Sequence, residues 1–258
     1  MAVLHLDGVI NCRDFGGDVG AGGGRVRRDR LYRSGHHAAA TPADLDCLAA
    51  LDLALIVDLR RPPERLRDPA RRPASSRARI LEHQGPSLDA APPHLAFLSD
   101  PEATAETAAA QMIIGYRGYP FDPHYVAVYR DYFATLANLE GPLMINCAAG
   151  KDRTGFLCAL TLQVLGVGRD DIYADYLATN RHNRAEERLA EFTAQFQATH
   201  GRPVSEALIR RMLAVDPAYL DAAYGAIGEA CGDIDQYLDR VVGLTPPMRD
   251  QIQSRFLI

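Results

Sequence analysis

Several things that would point elsewhere are scarce or missing in this chain. The longest apolar runs fall far short of the ~20 residues a helix needs to cross a bilayer, which argues against a transmembrane segment. Residues Met1 to Ile10 lack a basic start, so no cleaved secretory signal is expected, and export by another route would leave no mark here. The five cysteines are odd in number and show no close pairing, which fits a reducing, cytoplasmic setting better than a disulfide framework. The eight histidines form no His-x3-His pair and no Cys/His cluster with ligand spacing, so no metal and no other cofactor is expected. A net charge of −5 gives no reason to expect nucleic acid as a partner. No linker interrupts the 258 residues, a length that suits one α/β domain over 1–258 with a sizeable core. Nothing in the sequence fixes an oligomeric state.

What is present is most informative at Cys147-Ala148-Ala149-Gly150-Lys151-Asp152-Arg153-Thr154-Gly155. Before it, Gly141-Pro142 gives a turn signal and Leu143 to Asn146 a short apolar run, the pattern of a buried parallel strand. After it, Phe156 to Leu165 is apolar almost all round and ends at Gly166, the pattern of a buried helix. The segment therefore reads as a strand-to-helix turn, where backbone N–H groups and the positive end of the helix dipole converge into an anion cradle. Cys147 at its start is expected to have a pKa well below the free value of about 8.5, making it a thiolate nucleophile. Arg153, five residues on, can offer its planar fork to two phosphate oxygens, a geometry lysine would not reproduce. A cysteine at a buried strand end is more often a small hydrophobe. Here Gly150, Thr154, Gly155 and both flanking patterns favour the cradle.

The loop from Cys147 to Gly155 resembles the signature of the protein tyrosine phosphatase superfamily, and its Gly-Lys-Asp-Arg-Thr-Gly form is similar to the atypical bacterial tyrosine and lipid phosphatases. Ile10-Asn11-Cys12-Arg13-Asp14-Phe15-Gly16-Gly17, Leu31-Tyr32-Arg33-Ser34-Gly35, and Val57-Asp58-Leu59-Arg60 with Glu64 look like further elements of that family. So do Tyr173 to Asn180 and Pro217 to Leu244, so the likeness spans most of the chain. It implies a small, mostly parallel central sheet flanked by helices, and phosphotyrosine as substrate, with phosphoserine, phosphothreonine and phosphoinositides within reach. The family usually carries His before the nucleophile, and this chain has Asn146.

Elsewhere the order is legible in outline. Gly16 to Gly24 holds six glycines in nine residues and reads as a loop, followed by a short strand near Arg30 to Ser34. Thr41-Pro42-Ala43-Asp44 opens a helix running to about Leu51, and Leu53 to Val57 reads as a buried strand that delivers Asp58 to its C-terminal end. That end of an α/β sheet is where ligand crevices lie. Arg61 to about Ala103 reads mostly as loop. Helices follow over Ala103 to Tyr116 and Pro123 to Leu139, and the resemblance raises a helical lid insertion near 85–120 against the plainer reading of core packing. The last third reads as helices from Asp170 onward, and Arg181, Arg184, Glu186, Glu187 and Arg188 as a solvated face.

The chemistry follows from the groups. Cys147 would attack phosphorus and form a phosphocysteine. Backbone N–H groups of Ala148, Ala149, Gly150, Lys151, Asp152 and Arg153, with the Arg153 fork, would hold the equatorial oxygens. The Thr154 hydroxyl can donate to the Cys147 sulfur and help it leave. Asp152 and Asp58 compete as general acid, with Asp152 slightly favoured; the plainer alternatives are pairing of Asp152 with Lys151 or Arg153, and of Asp58 with Arg13, Arg33 or Arg60. Lys151 hints at a second phosphate. Three rivals stay open: a silent phosphate-binding module, distinguished by no release from an aryl phosphate; a sulfurtransferase, distinguished by thiosulfate:cyanide transfer; and a helical interaction protein, which has no need of this loop.

Overall fold

The computed structural model describes residues 4–85 and 97–258. Its centre is a five-stranded sheet built from β1 (Arg13–Asp14), β2 (Leu31–Ser34), β3 (Leu55–Asp58), β4 (Arg79–Glu82) and β5 (Leu143–Asn146), in the spatial order β1-β2-β5-β3-β4. β5 lies between β2 and β3 and is parallel to both, β4 runs parallel to β3, and β1 pairs antiparallel with β2. The register sets Asn146 level with both Ser34 and Asp58, and Asp58 level with Glu82. Four parallel strands therefore end in one row, and the residues that leave them, Gly35, Cys147, Leu59 and His83, start from one edge.

The helices begin where the sequence supplies caps. Helix α1 (Pro42–Ala50) opens with a capping box in which the Thr41 hydroxyl accepts from Asp44 N–H and the Asp44 carboxylate accepts from Thr41 N–H. The same carboxylate takes the N–H groups of Asp7 and Gly8, tying the N-terminal segment to this helix. Aspartate or threonine caps followed by proline open α4 (Pro123–Leu136), α9 (Pro217–Cys231) and α11 (Pro246–Phe256), and Thr104 opens α3 (Ala105–Gly118). Between Arg61 and Ala103 most of the described residues are irregular, and two short elements that the sequence did not show, α2 (Pro62–Arg67) and β4, fall among them. Six residues with two prolines, and a four-residue edge strand of Arg-Ile-Leu-Glu, give too few turns and no alternation for periodicity to register.

Packing places β5 and α5 (Asp152–Val164) at the centre. Leu143 and Ile145 face α4 and α5, where Tyr129, Tyr132, Phe133, Phe156, Leu157 and Leu160 are wholly buried. Met144 points the other way, into a smaller cluster with Leu48, Tyr32, Cys12 and Leu6 under α1. Both faces of β5 are covered, as its unbroken apolar run requires. The remaining helices are α6 (Arg169–His182), α7 (Ala185–His200), α8 (Glu206–Leu213) and α10 (Ile234–Tyr237), the last running into a π-turn over Leu238–Val242. α7 and α8 share a third cluster with α3 through Leu189, Phe196, Leu208, Ile209, Leu213 and Ala108. Of the stretch considered for a lid, residues 86–96 lie outside the described residues, and α3 buries Ala108, Met112 and Tyr116 as an ordinary packed helix does. No helix among the described residues is long and apolar enough to cross a membrane.

Candidate active site

The turn between β5 and α5 is forced by its glycine. Gly150 has φ +67°, and a Cβ there would sit 2.3–2.5 Å from the backbone of Ser34 and Gly35, so only glycine lets the loop press against the end of β2. The chain then turns into α5 at Asp152, and the N–H groups at the start of that helix have no partner within it. Cys147 is buried, with Ala148 and Ala149 partly open to solvent.

Behind the loop lies a closed polar network. The Gly150 carbonyl accepts from Asn11 Nδ2 at 2.7 Å and from Arg33 Nη2 at 3.0 Å. Arg33 Nη1 and Arg13 Nε then share Asp175, at 2.5 Å to Oδ2 and 3.1 Å to Oδ1, and the Thr179 hydroxyl accepts from both arginines. Asn11 reaches the loop from a left-handed backbone, φ +58°, and its side-chain oxygen accepts from Arg13 Nη1. Burial pushes the Asp175 carboxyl up, but the two guanidinium groups outweigh it and hold the group below its ordinary value. Burial and Arg33 bring Arg13 down to about 10, still protonated at neutral pH. Two cations against one anion leave about one net positive charge directly behind the cradle, a fixed field that favours an anion in it.

The front of the loop is built differently. Arg153 donates to Glu64 of α2 through Nη1 (2.7 Å) and Nη2 (2.8 Å) and to the Leu59 carbonyl through Nη1 (3.1 Å). Glu64 is positioned by its own capping role, since its carboxylate also accepts from Arg61 N–H. Arg153 also meets the Tyr125 side chain, and a guanidinium with five N–H donors has more of them than Glu64 and the Leu59 carbonyl take up. Burial alone would lower the Arg153 pKa, yet Tyr125 and Glu64 against it raise it well above its ordinary value. For Glu64 burial pushes up, and Arg153, with which it is hydrogen-bonded, pulls it far below. The resemblance had brought Glu64 in without a role; only the folded chain reveals the contact with Arg153.

The two candidate acids part company here. Asp58 is wholly buried and gives both oxygens to Arg60, with Arg60 Nη2 to Asp58 Oδ2 at 2.7 Å, as the plainer reading of that residue expected. Asp152 is only partly buried; its Oδ1 accepts from Lys151 Nζ at 2.8 Å and from the Tyr116 hydroxyl at 2.9 Å. Lys151 also reaches the Ala214 carbonyl at 3.3 Å, so the chain after α8 closes over this side of the loop. One expectation fails: the Thr154 hydroxyl makes no hydrogen bond to Cys147 or to any other group among the described residues, although it is fully buried. Thr154 is the third residue of α5. Burial pushes the thiols of Cys12 and Cys158 up to about 12, so neither competes as a nucleophile.

Against known proteins this architecture has close counterparts. A model of the tyrosine phosphatase family matches residues 4–258. The chain belongs to that family. A protein of Cupriavidus necator that carries a provisional tyrosine-protein phosphatase name is 38% identical over 246 residues, covering 91% of this chain and 82% of the relative. The triple specificity protein phosphatase PtpB of Mycobacterium tuberculosis is 31% identical over 265 residues, covering 92% and 93% respectively. A tyrosine-protein phosphatase of Nostoc commune is 26% identical over 181 residues, covering 69% and 58%. The chain is thus a tyrosine phosphatase acting on phosphorylated substrates, on the fold that the family implies.

Proposed function

We propose that the enzyme hydrolyses phosphoric monoesters through a phosphocysteine on Cys147, with phosphotyrosine the principal substrate. The observation that carries this reading is the single turn that holds Cys147, a left-handed Gly150 and Arg153 at the N-terminus of α5 with a net positive charge behind it. In the first step the Cys147 thiolate forms an S–P bond as the P–O bond to the leaving group breaks, and Asp152 gives its proton to the departing oxygen. In the second, Asp152 takes a proton from water as that water attacks phosphorus, the S–P bond breaks, and the thiolate and inorganic phosphate are restored. N–H groups from Ala148 to Arg153 and the Arg153 guanidinium hold the three equatorial oxygens throughout. Asp152 is preferred to Asp58 because it stands at the rim, whereas Asp58 would have to leave Arg60 to act.

Phosphoserine, phosphothreonine and phosphoinositides extend the substrate range, with Lys151 as the cation that would meet an additional phosphate; its pairing with Asp152 and Ala214 means that such a phosphate competes for it. The five cysteines are all free thiols, which suits a reducing cytoplasm. The test is phosphate release from an aryl phosphate, then from phosphopeptides and phosphoinositides, by freshly reduced wild type, Cys147→Ser and Lys151→Ala. Release by wild type and none by Cys147→Ser is expected; substantial release by Cys147→Ser would rule out the phosphocysteine. Loss on polyphosphorylated inositol lipids without equal loss on phosphopeptides is expected of Lys151→Ala; intact lipid activity in that variant would remove Lys151 from the recognition of a second phosphate, and no lipid hydrolysis by wild type would remove the lipid substrates.

A further inference from the structure

Asp152 is not held by the loop alone. Its Oδ1 takes the Lys151 ammonium and the Tyr116 hydroxyl, and Tyr116 Oη lies 2.8 Å from Tyr176 Oη. The direction of that last bond follows from the first: the Tyr116 hydrogen is already committed to the carboxylate, so Tyr176 donates and Tyr116 accepts. The two phenols come from different helices, α3 and α6, and both are buried, at 0% and 1% exposure. Their rings meet edge to face with centroids 6.4 Å apart, and Tyr219 of α9 packs on Tyr116 with centroids 5.6 Å apart. With two donors on Oδ1, Oδ2 is the oxygen on which a transferable proton can ride.

We propose that Tyr116 and Tyr176 are a positioning pair for Asp152, fixing the carboxyl so that its transferable proton sits on Oδ2. The proposal rests on the reading of Asp152 as proton donor. The charged and titratable groups facing Asp152 are Lys151 and Arg153 in its own loop, Tyr116 within α3 and Tyr119 just beyond it, Tyr176 on α6 and Tyr219 on α9. Burial raises the Tyr116, Tyr119 and Tyr176 phenols well above their ordinary values, so they remain neutral donors or acceptors through the working range. A hydrogen bond donated to a carboxylate favours its ionised form. Removing the Tyr116 hydroxyl therefore takes away one bond to the carboxylate and, with it, the restraint on where the proton points.

The measurement is the pH profile of kcat for wild type, Tyr116→Phe, Tyr176→Phe and Asp152→Asn, on an alkyl phosphate and on an aryl phosphate with an excellent leaving group. For Tyr116→Phe the alkaline limb on the alkyl ester should move up by roughly half to one pH unit, with the acidic plateau about three- to tenfold lower and the activated aryl ester little affected. Tyr176→Phe should move the same limb in the same direction by less, and it carries the test if Tyr116→Phe does not fold. Packing damage would lower both esters alike and leave the limb in place, and that outcome overturns the pair. If Asp152→Asn spares the activated ester and cripples the alkyl one while neither phenylalanine variant moves the limb, the acid stands and the positioning pair falls. Equal losses on both esters for Asp152→Asn would remove the acid and the pair together.

Discussion

The back and the front of the Cys147 to Thr154 loop use the same chemistry, arginine against carboxylate, to opposite ends. At the back, Arg13, Arg33 and Asp175 are wholly enclosed and close on one another, on Asn11 and on the Gly150 carbonyl. At the front, Arg153 with Glu64 and Lys151 with Asp152 keep 8 to 17% of their side chains in contact with solvent. An enclosed network fixes the loop's shape and supplies a constant positive field; a half-open one can exchange partners with substrate. The difference teaches that burial decides whether an ion pair here acts as scaffold or as machinery.

The comparison is broken most directly from behind. Asp175→Ala leaves two guanidinium groups buried against each other with no anion between them, and breaking such a pair costs roughly 3–5 kcal/mol. Chemical denaturation should show a loss of that size. A loss under about 1 kcal/mol would mean that water or relaxation reaches the site, and the back would then differ from the front in nothing essential.

How much of this could be read from the sequence follows the distance along the chain. β5, the loop and α5 are contiguous, so a turn signal, an apolar run, a cysteine–arginine spacing and an apolar helix identify them together. The helix caps at Thr41, Asp122, Asp216 and Thr245 are equally local and fall where their side chains put them. The back of the site is not local: Asn11, Arg33 and Asp175 are brought together by strand order β1-β2-β5 and by α6, and no spacing within one segment encodes that. Resemblance marked those segments without saying that they meet behind the loop. In the sequence Tyr116 marks only the end of a helix, because periodicity counts a ring and is blind to where its hydroxyl points.

A second effect sharpens the idea that the back tolerates no additional charge. His37, wholly buried next to the end of β2 with its Nε2 3.0 Å from the Ser34 hydroxyl, has its pKa lowered to about 4 by burial first and by Arg72 after it. Its folded value lies below its unfolded value of about 6.5, so between the two the unfolded chain binds more protons and stability falls as pH falls. The loss should reach on the order of 3 kcal/mol for this group by the lower end of that window. His83, buried beside Tyr125 at the front, is also lowered to about 4 and titrates in the same sense. Unfolding free energy measured from pH 7 to 4 should decline, and His37→Gln should remove from that decline the roughly 3 kcal/mol that its own titration contributes. An unchanged slope would show that His37 charges freely in the folded state.

The smallest effect on stability is expected at the front, where activity is the sensitive readout. Glu64 holds Arg153 by two bonds, and Glu64→Gln keeps the volume and one acceptor while removing the charge and the second acceptor. Because this pair is partly open to solvent, the unfolding free energy should drop by no more than about 1 kcal/mol. The guanidinium, however, loses a partner that fixes its orientation, and misplacing a transition-state donor should lower kcat/KM about ten- to thirtyfold. Inorganic phosphate should bind more weakly in the same variant, since it uses the same guanidinium. Conversely, a variant that lost as much stability as Asp175→Ala yet kept its kcat/KM would place Glu64 with the scaffold, and the two faces of the loop would no longer divide the work as their burial implies.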